Sequence, residues 1–195
     1  MDPTSFAQKP WRLLVIPGLR DSGPAHWQTW LQARTPGAVR VVQRNWDTAD
    51  LPRWGARIDS VLARHGPGPW LAVAHSFGVL ALVEHLARVP GSPIAAALLV
   101  APADPGRFGL SEAVSREALP VPATLVASLN DPWLPWTEAA RWGARWGCPV
   151  INLGAAGHIN AESGHGPLPL AERWCQTQAE RLTAARATPP SALAA

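Results

Sequence analysis

The chain has 195 residues, 47% hydrophobic and only 16% charged, with a formal net charge of +3. That length suits one domain whose core needs neither disulfides nor metals, and the composition argues against disorder. The positive charge forms no basic run and no basic–aromatic alternation, so it leaves no nucleic-acid footprint. Apolar runs are too short and interrupted to span a bilayer. The segment MDPTSFAQKPW lacks a basic start followed by an apolar stretch, so no signal peptide is expected and a cytoplasmic protein is. Lys9 is the only lysine, which leaves lysine-dependent chemistry without a core residue. Cys148 and Cys175 lack metal-ligand spacing, and the sequence leaves open whether they pair.

In chain order, the apolar run 13–16 (LLVI) reads as a buried strand, closed by Pro17-Gly18. Residues 24–34 are amphipathic, with Ser22 or Asp21 as a helix cap. Residues 39–43 are β-rich. Trp54, Ile58, Val61 and Leu62 give 52–64 a helical spacing. Strand 70–74 is followed by helix 77–89, and 95–100 is a fourth strand. The stretch 102–122 has the weakest pattern; with Phe108 and Leu110 it reads as a short cap over a site. Strand 124–127, helix 136–146 ended by Gly147, strand 150–153 and helix 169–185 complete the series.

Six apolar strands alternating with helices predict an α/β fold, a doubly wound, mostly parallel six-stranded sheet in three layers. The expected division is an N-terminal extension over 1–11, one domain over 12–185 and a disordered tail over 186–195. In such sheets, sites form in loops beyond the carboxyl ends of the strands. That rule selects loops 17–23, 75–78, 130–133 and 154–166.

Ser76 interrupts the apolar stretch WLAVAHSFGVLALV where a strand meets a helix. Its neighbours two positions away, Ala74 and Gly78, are small, as a nucleophile elbow requires; the usual G-x-S-x-G here reads A-x-S-x-G. The plain alternative is a serine that caps the helix. A serine nucleophile needs a base, and the base needs an orienting group. His75 should face away from Ser76, because successive strand side chains alternate, and so reads as a supporting or core residue. His158 directly follows the sixth strand in a glycine-rich loop and is the favoured base, with His165 as its rival. Asp131 follows the fifth strand and precedes Pro132, and is the favoured acid; Asp104 is the second candidate. Backbone N–H groups of Phe77 and Leu19 are the expected oxyanion donors. His26, Trp27, Phe108, Trp133 and His165 are candidate pocket residues in a shallow, open site.

At this point the chain resembles the small serine hydrolases of the α/β-hydrolase fold related to vertebrate retinoblastoma-binding protein 9 and its bacterial relatives. The resemblance rests on Ile16-Pro-Gly-Leu, Ser22-Gly-Pro-Ala-His-Trp-Gln28, Ala74-His-Ser-Phe-Gly78, Leu99-Val-Ala-Pro-Ala-Asp104, Ser128-Leu-Asn-Asp-Pro132 and Gly157-His-Ile-Asn-Ala-Glu-Ser-Gly-His-Gly166. It implies the triad Ser76, Asp131 and His158, and hydrolysis of the esterase or aminopeptidase type. Ala74 departs from the family's usual glycine. The vertebrate protein's L-x-C-x-E segment is missing here, so its protein partner does not carry over.

The expected activity is acyl transfer to water from a small ester or amide, without metal or organic cofactor, and with no nucleic acid or membrane partner. Two rivals differ in class. One is a non-catalytic binding protein on the same scaffold. The other is a flavodoxin-like cofactor binder, which would need a phosphate cradle that Pro17-Gly-Leu-Arg-Asp-Ser-Gly supplies poorly.

Overall fold

Side chains of the first strand, β1 (Arg12–Ile16), alternate between two separate cores: Leu14 and Ile16 enter one, Leu13 and Val15 the other. The third strand divides its residues the same way, with Ala72 and Ala74 on one face and Leu71 and Val73 on the other. Strands buried on both faces must be covered by helices on both faces. The computed structural model, which describes residues 11–187 with side chains through 185, shows that cover.

The elements run β1, α1 (Trp27–Arg34), β2 (Val39–Arg40), α2 (Leu51–His65), β3 (Trp70–Ser76), α3 (Phe77–Arg88), β4 (Ile94–Pro102), β5 (Ala123–Ala127), α4 (Trp136–Arg145), β6 (Val150–Asn152) and α5 (Pro169–Ala187). All strand pairs are parallel, in the order β2-β1-β3-β4-β5-β6. Helices α2, α3 and α4 pack on one face, α1 and α5 on the other. The fold is therefore the expected three-layer α/β architecture. The order reverses beside β1, so a crevice opens between the carboxyl ends of β1 and β3. Ser76 ends β3 at that crevice.

Helix α2 shows how sequence becomes packing. Leu51, Trp54, Ile58, Val61 and Leu62 recur at helical spacing and are all buried. Asp50 caps the first turn by accepting from the Arg53 N–H, and Gly66 ends the helix with φ +79°. Helix α3 is apolar nearly all round because it lies between the sheet and α2.

Four sequence expectations need correction. Strand β2 is only two residues long rather than 39–43. Its partner β1 runs into Pro17, which has no N–H to extend the ladder. Helix α1 starts at Trp27 rather than residue 24, and its cap is His26 rather than Ser22 or Asp21. Arg20 and Asp21 adopt left-handed φ values of 65° and 62°, and Arg40 clamps this loop through Asp21 and the Ser22 carbonyl, both at 2.8–3.0 Å. The segment 102–122 does not arch over a site. It folds down on the α2–α4 core, burying Val114, and Leu119 bonds to the Trp146 carbonyl. Helix α5 continues to Ala187, past the expected end of the domain; the rest of the expected tail and residues 1–10 of the expected extension lie outside the described residues. Separately from these corrections, Cys148 and Cys175, whose pairing the sequence leaves open, lie in opposite cores and form no disulfide.

The His26 cap makes stability depend on pH. Its Nδ1 accepts the Gln28 N–H at 3.2 Å, so the ring is neutral with its proton on Nε2. Burial, then the positive charge of Arg40, lowers its pKa from 6.5 to about 4. The unfolded chain thus binds a proton between about pH 6.5 and 4 that the folded chain refuses. Stability is full above that window and falls on acidification through it, by at most about 1.4 kcal/mol per pH unit for this residue. In urea titrations from pH 7.5 to 4.5, His26→Asn, which keeps a capping acceptor, is expected to lose stability less steeply than wild type. Equal slopes would refute the assignment.

Candidate active site

Ser76 is the last residue of β3, and α3 begins at the next residue. Its backbone sits at φ 54°, ψ −123°, a conformation that costs a non-glycine residue about 1–3 kcal/mol. Two glycines make the turn possible. A Cβ on Gly78 would lie 2.3 Å from the Pro17 carbonyl oxygen and 2.6 Å from that of Ile16. A Cβ on Gly18 would lie 2.7 Å from the Ser76 Cβ. Ala74, in place of the glycine of the usual G-x-S-x-G, is fully buried and its methyl packs in the core. The hydroxyl of Ser76 makes no capping bond to α3, which removes the plain reading of a helix cap.

Instead, the Ser76 Oγ lies 2.9 Å from His158 Nε2. His158 Nδ1 lies 2.9 and 3.0 Å from the two oxygens of Asp131. A carboxylate only accepts, so Nδ1 carries the proton and Nε2 offers its lone pair to the serine. Asp131 and His158 are both buried. The Trp133 N–H also donates to Asp131 at 2.9 Å and fixes its orientation. His165, the rival base, holds its loop through backbone bonds to Trp27 and Asn160 and takes no part in this chain of bonds. Asp104, the rival acid, caps a short 3₁₀ turn (Pro105–Phe108) by accepting from Gly106.

The loops carrying Asp131 and His158 are stitched together by side chains the sequence reading did not single out. Buried Ser128 donates to the Gly154 carbonyl and accepts from the Ala156 N–H. Asn130 Oδ1 accepts from the Gly157 N–H at 2.7 Å. On the far side of α1, fully buried Gln28 donates to the carbonyls of Ile16 and Val73 and accepts from Ser22, tying the ends of β1 and β3. A glutamine on the apolar stripe of an otherwise packed helix was the only signal for that role.

His75 faces away from Ser76, as strand alternation predicts, and is buried. Its Nε2 lies 2.9 Å from the His158 carbonyl oxygen and must donate, since a carbonyl only accepts. Its ring stands 4.7 Å from His26 and 4.9 Å from His158. Burial above all, then repulsion from His158 and His26, holds its pKa well below 6.5. His158 is thus backed by two neutral imidazoles rather than by positive charge.

The remaining pocket candidates separate. Trp27 is wholly buried in the core against His75 and lines no open site, which corrects the sequence expectation. His26 is likewise buried, as the cap of α1. Phe108 packs edge-on against Phe77 at 5.2 Å, and Trp133, 49% exposed, stands 6.1 Å from His158. Gly18 brings the backbone that leads to Leu19 against Ser76. Two clefts of about 350 and 670 Å³ lie on the surface, and neither is lined by Ser76, Asp131 or His158. Among the described residues, no group of three or more His, Cys, Asp or Glu side chains is placed to hold a metal ion, and no helix is long and apolar enough to cross a membrane.

Comparison with known proteins agrees with this architecture. The model of a family described as serine hydrolase matches residues 13–177. A protein described as a YdeN-like hydrolase from Pectobacterium atrosepticum is 37% identical, with a TM-score of 0.83 over 88% of this chain and 92% of its own. The ydeN gene product of Bacillus subtilis, at 19% identity, shares the fold with a TM-score of 0.73 over 85% of this chain and 97% of its own. The esterase RhEst1 of a Rhodococcus species shares it at 13% identity and a TM-score of 0.63, over 87% and 90% of the two chains. No curated protein matches in sequence. A family match along most of the chain, on a parallel sheet that carries a serine at the strand-to-helix turn, establishes that this chain belongs to the serine hydrolase family and is a hydrolase of the α/β-hydrolase fold.

Proposed function

We propose that the chain hydrolyses small ester or amide substrates through an acyl-enzyme formed on Ser76. The observation that carries this reading is the unbroken sequence of bonds from Ser76 through His158 to Asp131. His158 Nε2 takes the hydroxyl proton as Oγ attacks the carbonyl carbon. The tetrahedral oxyanion is held by the backbone N–H groups of Leu19 and Phe77. Collapse breaks the bond to the leaving alcohol or amine, which takes the proton from His158. Water then attacks the acyl-enzyme, gives its proton to His158, and the acid is released as Ser76 recovers the proton. Asp131 stays ionised, orients the ring and stabilises the imidazolium. The substrates are small molecules met in the cytoplasm, a setting compatible with two cysteines on opposite faces of the sheet.

Within this reading, His75 is a positioning residue. Its N–H to the His158 carbonyl fixes the loop that presents the base. Removing that donor leaves a buried carbonyl unsatisfied, at about 1–3 kcal/mol.

The first test is intact-protein mass after treatment with a small fluorophosphonate. One adduct is expected on wild type and none on Ser76→Ala; an unlabelled, well-folded wild type would sink the triad reading. In ester assays, Asp131→Asn is expected to lower kcat by about 10³–10⁴-fold while the variant stays folded, because the ring loses its correct tautomer. His75→Phe is expected to lower kcat with little change in KM, and His75→Gln, which keeps an N–H donor, to restore part of it. Equal kcat in folded wild type and His75→Phe would reduce His75 to packing alone.

A further inference from the structure

We propose that Arg107 and Trp133 form a subsite at the rim of the active site for substrates that carry a carboxylate beside a planar or apolar group. The proposal rests on the serine hydrolase reading above and adds the substrate class. Arg107 lies in the 3₁₀ turn after β4, and its Nη2 donates to the Pro132 carbonyl at 2.9 Å. Its guanidinium carbon is 5.2 Å from the centre of the Trp133 ring. The side chain is thereby bracketed by both arms of the site. Phe108, the next residue, packs on Phe77 beside the nucleophile. Trp133 stands against His158.

The charge of Arg107 is not neutralised. Among the described residues no ion pair engages it; several other arginines share that, Arg20, Arg44 and Arg145 among them, and what sets Arg107 apart is its place between Pro132 and Trp133, beside Phe108 on Phe77. The two carboxylates nearest along the chain and in the adjoining loop are already engaged. Asp104 accepts from the Gly106 N–H, and Asp131 holds His158 and the Trp133 N–H. One bond to a neutral carbonyl uses one of five guanidinium donors. The remaining fork suits a carboxylate, which takes two parallel N–H bonds.

Trp133 supplies the second half of the subsite. It is 49% exposed, and Leu129 on the same β5–α4 loop is 56% exposed, although the machinery beside them is buried. An exposed indole face against His158 is surface for a ligand to cover. A planar group stacked on Trp133 brings a carboxylate substituent to the guanidinium that already lies by that ring.

The test measures second-order rates of Ser76 modification by 4-(fluorosulfonyl)benzoate and by its methyl ester, followed by intact mass. In each case the Oγ–S bond forms, the S–F bond breaks, fluoride leaves and His158 takes the proton. Comparing the acid-to-ester ratio between variants cancels the intrinsic difference in reagent reactivity. That ratio is expected to fall about fivefold in Arg107→Gln and to stay at the wild-type value in Arg173→Gln, which removes the same charge from α5. An unchanged ratio in Arg107→Gln, or an equal fall in Arg173→Gln, overturns the proposal. So does a wild type that a fluorophosphonate labels at Ser76 but neither sulfonyl fluoride does; the hydrolase reading then stands alone. If the fluorophosphonate also fails, both readings fall.

Discussion

The left-handed backbone at Ser76 exists because nothing larger than hydrogen occupies positions 18 and 78. The loop after β1 and the first turn of α3 close on the serine from two sides, with carbonyl oxygens where any Cβ on Gly78 would sit. That contact lets a strand pass into a helix with no intervening residue, which lifts the hydroxyl to the carboxyl edge of the sheet. It also fixes where the site can be. Only a strand next to β1 can bring its end against the β1 loop, and of its two neighbours, β2 and β3, it is β3 that passes directly into a helix there. The strain at Ser76 is held by the packed sheet around it, since β3 is buried from Trp70 to His75 and paired on both sides.

Burial of Asp131 and His158 beside a half-buried Ser76 imposes a second constraint, because buried polar groups around them need partners. The structure meets it mostly with neutral groups, although the Trp27 indole N–H beside His75 is buried without a partner. Ser128 and Asn130 bind the backbone of the histidine loop, His75 binds its carbonyl, and Gln28 binds the strands that flank the crevice. His26 and His75 are kept uncharged mainly by burial, so neither adds a positive charge beside His158, whose Nδ1 faces Asp131. Had either neighbour been protonated, repulsion would oppose the proton transfer to His158 that the proposed mechanism requires. The same neutrality ties stability to pH, because the histidines that keep the wall uncharged must be charged to unfold in acid.

Much of this was legible in the sequence, for a physical reason. Strands buried on both faces read as unbroken apolar runs, so 13–16, 70–74 and 95–100 announce themselves, and the chain order of Ser76, Asp131 and His158 follows from which run each one closes. What stayed hidden depends on tertiary detail. The cap of α1 fell to His26 because Arg40, from another strand, takes hold of Asp21 and the Ser22 carbonyl. Trp27 read as a pocket wall because it follows a site loop, yet helix phase turns it into the core. The segment 102–122 read as a cap because it follows a site strand, and it packs down because Val114, Leu119 and Val121 find the α2–α4 core. Arg107 gave no signal at all, since an arginine's meaning lies in which acids are missing around it.

That folding-down of 102–122 decides what kind of recognition the site can offer. With Val114 drawn into the core, the segment keeps Phe108 against Phe77 and Arg107 by Trp133, and two surface clefts of about 350 and 670 Å³ lie away from Ser76. A substrate is therefore met on one side by rigid, buried machinery and on the other by a few exposed side chains. Enclosure contributes little, so discrimination among acyl or leaving groups falls on the contacts with the most energy per atom, an aromatic face and an unpaired guanidinium. In the proposed reading the interior sets the reaction and the rim sets the substrate, and the two are joined at Pro132, whose carbonyl holds Arg107 one residue after Asp131, the partner of His158.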